Sequence, residues 1–217
     1  MIVAAIVGMK SEAALLPAGI PVACAGGVTA RAEALARDFI AGGAQALVSI
    51  GIAGGLDPSL RPGDIVIGSG VETEGGVIGC DLPWRDRLLA ALPGARSGLV
   101  FGSAVAAATV AHKQALFQRR GALVVDMESG AVAKAAAAAG LPFAVIRAVA
   151  DPAGRALPAS AMAGLDAEGN ARPGAVMLGL LRRPRDLPGL IRVGLDSGRA
   201  LSALGDALKV VGPTLGA

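Results

Sequence analysis

The sequence predicts an α/β fold with a mixed central sheet sandwiched between two layers of helices, and three observations predict it. Short apolar runs bounded by Gly, Pro or Asp alternate with longer Ala-rich stretches. Several of those runs are continuously apolar, as strands are when helices cover both faces of a sheet. Hydrophobic residues make up 53% of the 217 and charged residues 17%, which excludes disorder and provides for a large core. The expected architecture is a three-layer αβα sandwich in one domain, 1–217.

The elements follow in order. Residues 1–8 are apolar, lack a basic leader and are too short for a signal peptide, so they read as a buried first strand. Further strands are expected at 21–25, 45–51, 63–71, 97–102, 122–125 and 142–149. Helices are expected at 28–41, 84–91, 109–120, 127–139, 170–182 and 185–210. The stretch after Glu128 is nearly all alanine, a strong helix former, and Gly140 with Pro142 stops it. The segment 184–188, with Pro184 and Pro188, separates two terminal helices rather than two domains, and 184–217 reads as an amphipathic helical tail.

Composition narrows the function classes. Mean hydropathy is high, +0.61, yet no apolar run reaches the roughly 18 residues that span a bilayer. Cys24 and Cys80 have neither metal-ligand spacing nor the numbers for a disulfide framework, so no metal is expected and a cytoplasmic setting is. A formal charge of +3 is too small to argue for nucleic acid. Residues 182–217 hold six of the 20 cations and three of the 17 anions, so all the excess charge lies in the tail. With one Trp, no Tyr and four Phe, any ligand pocket must be mostly aliphatic and backbone.

Three carboxylates stand near predicted strand ends, where open α/β sheets bind ligands. Glu12 follows the first strand, Glu128 opens the Ala-rich helix beside Asp126, and Asp151 closes the strand at 142–149. Taken singly, each has an ordinary explanation as a helix-start anion or turn former. Together they match what base–ribose cleavage requires. A protonated acid supplies a proton to the departing purine, a carboxylate steadies a cation-like ribose, and a base activates the nucleophile.

With the turn Gly51-Ile-Ala-Gly-Gly55-Leu56, the segment Leu60-Arg-Pro-Gly-Asp64, Val125-Asp-Met-Glu128-Ser-Gly and Arg147-Ala-Val-Ala-Asp151, the order resembles the purine and uridine phosphorylase superfamily. The likeness runs from residue 1 to about 155 and is greatest to the branch of methylthioadenosine/S-adenosylhomocysteine nucleosidases. That resemblance implies Asp151 as the acid, Glu12 as the base for water, and Arg147 as the partner of both water and glutamate. It also implies Glu128 and Met127, with Asp126, at the ribose, Met9 on the sugar side, and Ala53 and Gly54 beside base and sugar. Val105 falls where those nucleosidases stack an aromatic ring on the purine, and Ala106 where backbone reads the adenine edge.

Departures are informative. Ser49 stands where phosphorylases of the superfamily carry a phosphate-binding Arg, which favours water as nucleophile and leaves phosphate only as the alternative co-substrate. No other cofactor is expected. Ala150 replaces a hydroxyl that supports the acid, and the loop from Gly68 to Trp84 reads as shorter than usual. His112, the single histidine, has no matched role.

In the tail, Leu187, Leu190, Ile191, Leu195, Leu201 and Leu208 are expected largely on one helical face and Arg185, Arg192 and Arg199 on another. This tail resembles the hopanoid-associated phosphorylases, which implies adenosylhopane, a lipid-linked adenine nucleoside, as substrate. Either a partner subunit in a homodimer or peripheral contact with an anionic membrane would use such a helix. A non-catalytic nucleoside-binding module is the rival from another class. A dinucleotide enzyme is disfavoured, because no G-x-G-x-x-G turn follows the first strand.

Overall fold

The computed structural model describes residues 1–163, 169–170 and 172–217. Eight strands form one mixed sheet. They are β1 (Val3–Val7), β2 (Val22–Cys24), β3 (Ala46–Gly55), β4 (Ile65–Thr73), β5 (Gly76–Gly79), β6 (Arg96–Gly102), β7 (Val124–Asp126) and β8 (Phe143–Asp151). The path β2-β1-β3-β7-β6-β4-β5 carries β8 off it, paired with both β3 and β4. That double pairing closes β3, β7, β6, β4 and β8 into a ring. β7 runs antiparallel to β3, and β4 is antiparallel to both β5 and β8, while the other pairs are parallel.

Seven α-helices accompany the sheet among the described residues: α1 (Lys10–Ala13), α2 (Thr29–Ala41), α3 (Leu82–Ala91), α4 (Val110–Arg120), α5 (Ser129–Ala139), α6 (Pro173–Arg182) and α7 (Leu187–Val211). Two of them, α2 and α5, pack on one face of the sheet with Ala32, Ala36, Val132 and Ala136 fully buried. On the other face α3 and α7 bury Trp84, Leu88, Ala200, Leu204 and Leu208. Removing a Leu of that size from water contributes about 1.5–3 kcal/mol, so these contacts fix the last helix to the sheet. Trp84 Nε1 also donates to the Leu215 carbonyl at 2.8 Å, tying α3 to the C-terminal turn.

The seven expected strands and six longer helices all form, shifted by a few residues at their ends. Two elements were not expected. A one-turn helix, α1, carries Glu12, and β5 makes a hairpin with β4 around Glu74-Gly75, where Gly76 adopts φ +108. The supposed loop from Gly68 is therefore mostly this hairpin. The expected helix at 170–182 begins at Pro173, and Ala171 lies outside the described residues.

The tail departs from its expected amphipathicity. Leu208 packs inward with Leu204 and Ala207, but Leu187, Ile191 and Leu195 are 47%, 55% and 59% exposed. Two inward positions are occupied by Ala200 and Asp196 instead. The buried positions of α7 begin at Asp196 and continue through Ala200, Leu204, Leu208 and Val211, so the helix packs on the core mainly through its second half.

Candidate active site

Strands β1, β3 and β8 are mutually parallel, so their C-terminal ends open on one side of the sheet. There a cavity of about 290 Å³ is lined by Met9, Glu12, Asp126, Met127, Glu128 and Asp151. Gly8, Ala53, Gly54, Ala106 and Ala150 also line it. This lies at the small end of the range for ligand pockets.

Glu12 reaches the cavity because α1 turns back immediately after β1. Its Oε2 accepts from the amides of Gly8 and Met9, both at 2.8 Å, and Oε1 from the Ile52 amide at 2.8 Å. Three amide donors hold the carboxylate in place and favour its charged form. Burial outweighs them, together with the nearby Arg147, and pushes the carboxyl above the ordinary range. Two glycines make the room. A Cβ on Gly51 would lie 2.7 Å from Glu12 Oε1, and one on Gly8 would lie 2.8 Å from Glu128 Oε1 and 3.5 Å from Glu12 Oε2. The Gly8 backbone thus lies between the two carboxylates.

Glu128 sits at the start of α5. Burial pushes it up to about 7, with Asp126 and Glu12 adding to the effect and Arg147 opposing it. Its neighbour Asp126 is fully engaged: Oδ1 accepts from the amides of Glu128 (2.9 Å) and Ser129 (2.7 Å), and Oδ2 from Arg147 Nε (2.7 Å). Arg147 is 1% exposed, donates a further bond from Nη2 to Ser49 Oγ at 2.6 Å, and does not line the cavity. The resemblance implies that it partners both the water and Glu12. Its guanidinium hydrogen-bonds Asp126 and Ser49, and its charge acts on both Glu12 and Glu128.

Asp151 ends β8 beside Gly54, where an added Cβ would lie 3.4 Å from either carboxylate oxygen. Its surroundings differ from those the sequence suggested. Lys113 of α4, fully buried, donates from Nζ to Asp151 Oδ2. The same ammonium lies 3.0 Å from the Arg155 carbonyl, 3.1 Å from that of Pro152 and 3.3 Å from that of Asp151. Burial still pushes the Asp151 carboxyl above its usual range, with Lys113 and Arg155 pulling it down. The support that Ala150 does not offer thus comes from α4. A signal was present in the sequence. Lys113 shares its helical face with Leu116 and Phe117, which pack on the core, and a lysine on such a face needs an anion.

Val105, like Arg147, is an expected site residue that does not line the cavity. It is 61% exposed, and its amide and carbonyl both bond to Ser103 Oγ. Ala106 and Ala107 line the cavity in its place. Sequence reasoning also missed the far wall. Leu157, Ala161, Val193 and Ser197 all come from the chain after Asp151, the last two from α7.

The model of the phosphorylase superfamily matches residues 4–177. The chain belongs to the phosphorylase superfamily. Membership makes it an enzyme that cleaves N-glycosyl bonds. Solved structures share the fold. The native futalosine hydrolase of Helicobacter pylori superposes with a TM-score of 0.72 at 15% identity, covering 96% of this chain and 95% of that one. The 5′-methylthioadenosine/S-adenosylhomocysteine nucleosidase of S. pneumoniae gives 0.69 at 17%, covering 98% and 100%. The S-adenosylhomocysteine nucleosidase of Streptococcus pyogenes gives 0.67 at 17%, covering 95% of each. No curated protein sequence matches. Within the superfamily, then, this chain has four carboxylates on its cavity wall, and among the described residues no Lys or Arg lines it.

Proposed function

We propose that this enzyme hydrolyses the bond between adenine and ribose in a nucleoside carrying an apolar group on its sugar, a lipid-linked nucleoside such as adenosylhopane. The observation that carries hydrolysis is the cavity wall: four carboxylates, Glu12, Asp126, Glu128 and Asp151, and no lining cation among the described residues. A phosphate dianion there would meet repulsion and find no guanidinium, since Arg147 is committed to Asp126 and Ser49. Water has no such difficulty.

In this reading Glu12 accepts a proton from water, whose oxygen attacks the anomeric carbon. Asp151 protonates a ring nitrogen of the base, and the glycosidic electron pair leaves with it. Glu128 grips the ribose hydroxyls, with Met127 and Met9 against the sugar, and its charge offsets the cation-like transition state. Ala53, Gly54 and Ala106 border base and sugar with backbone.

The apolar substituent is supported by α7. Val193 and Ser197 face the cavity, while Ile191 and Leu195, two residues before each, face outward. One helix thus borders both the substrate space and an exposed apolar strip, which Met177, Leu178 and Leu181 of α6 extend in sequence. Arg182, Arg183, Arg185 and Arg192, all exposed, add positive charge, which suits peripheral contact with an anionic membrane. Among the described residues no helix is long and apolar enough to cross a bilayer.

The test is adenine release from adenosines bearing 5′ substituents of increasing apolar length. The expected result is a kcat/KM that rises with chain length. A maximum at methylthioadenosine, falling for longer chains, would instead support a small-substrate nucleosidase.

A further inference from the structure

Asp151 does not stand alone, and its companion has no part in the chemistry described so far. Lys113 Nζ faces four oxygens: the Asp151 carboxylate and the carbonyls of Asp151, Pro152 and Arg155. An ammonium carries three protons, so every one is committed to the turn that follows β8. No solvent reaches this side chain, which is 0% exposed, and a buried cation is retained only where paired.

The geometry points to Lys113 as the positioning residue for the acid: it aims the Asp151 carboxyl at the base and sets the pH range in which that carboxyl delivers its proton. The inference rests on the reading of Asp151 as acid. Burial raises a carboxyl's pKa and makes it slower to give its proton up; a neighbouring cation lowers that pKa again. Lys113 from α4 and Arg155 from the turn are the cations that face Asp151. Glu12, Asp126 and Glu128 are the titratable groups elsewhere on the cavity wall.

The anchorage extends further. Arg155, whose carbonyl Lys113 holds, pairs through its guanidinium with the buried Asp196 of α7. Asp196 stands one residue before Ser197 on the cavity wall. One ammonium therefore fixes the acid and, through Arg155, the helix that closes the far side.

The test compares pH profiles of kcat/KM for adenine release by wild type, Lys113→Met and Lys113→Arg. Activity that needs protonated Asp151 falls as pH rises through its pKa. Removing the cation raises that pKa, so in Lys113→Met the basic limb moves to higher pH. Its kcat also falls on the order of tenfold or more, because the carboxyl loses its aim. Lys113→Arg keeps the charge, and its basic limb stays with wild type. A folded Lys113→Met with an unmoved limb and wild-type kcat overturns the inference. If Lys113→Met does not fold, Lys113→Arg decides: a limb displaced from wild type counts against the role, a retained limb with lowered kcat for it. Asp151→Asn separates the two levels. Should it keep wild-type turnover, the acid itself is wrong; should it be inactive while Lys113→Met leaves the limb in place, only the role of Lys113 fails.

Discussion

At the scale of residues, the site concentrates negative charge where the fold gains nothing from it. Glu12, Asp126, Glu128 and Asp151 share one cavity, and the buried Arg147 neutralises only part of that charge. Glu128 bears the cost, with its carboxyl pushed to about 7. The unfolded chain ionises this group near 4.5. Between those values the native state holds a proton that the unfolded state has released, so stability is lost as pH rises through that window. Above pH 7 the loss is complete, on the order of 3 kcal/mol from a shift of that size. Glu128→Gln should therefore melt higher than wild type at pH 8 and equally at pH 4, while losing most activity. Equal melting temperatures at pH 8 would show that Glu128 is not held under electrostatic stress. The comparison is thermal unfolding at the two pH values.

At the scale of elements, strands and helices were legible in the sequence because their signals are local. Apolar runs with Gly, Pro or Asp at their ends mark strands, and the alanine stretch before Gly140 marks α5. The β4–β5 hairpin was hidden because Val77 and Ile78 make too short an apolar run to stand out beside Gly75 and Gly76. Candidate carboxylates could be read from strand ends, and Glu12, Glu128 and Asp151 do share a cavity. What could not be read was anything set by distant contact. Lys113 meets Asp151 across 38 residues, and Arg147 hydrogen-bonds Asp126 and Ser49. Val105 points outward because Ser103 pins its loop.

The tail shows the same limit, since periodicity identified a helix but not which half of it the sheet would cover. Its exposed half carries the prediction for this scale. Replacing Arg182, Arg185 and Arg192 with Gln should weaken binding to vesicles rich in anionic lipid, each cation being worth about 1 kcal/mol at such a surface. Hydrolysis of a short-chain adenine nucleoside should stay within about twofold, because none of the three lines the cavity. Vesicle sedimentation measures the first and adenine release the second. A wild type that ignores anionic vesicles, or variants that bind them as well as wild type, would contradict the membrane contact. An oligomer whose interface covers Leu187, Ile191 and Leu195 would assign the strip to a partner subunit instead.

At the scale of the whole molecule, closure of β3, β7, β6, β4 and β8 into a ring gives the three carboxylates a fixed frame. Glu12 is held between the end of β1 and Ile52 of β3, Glu128 follows β7, and Asp151 ends β8, and the pairing of these strands sets their separations. Superfamily membership supplies the bond that is broken; the charge on the cavity wall is what argues for the nucleophile. That choice is the central claim, and an isotope label reads it directly. Single-turnover cleavage of an adenine nucleoside in H2(18)O with saturating phosphate present should give a free sugar labelled at its anomeric oxygen, at a rate unchanged by phosphate. An unlabelled sugar phosphate that forms only when phosphate is added would contradict it.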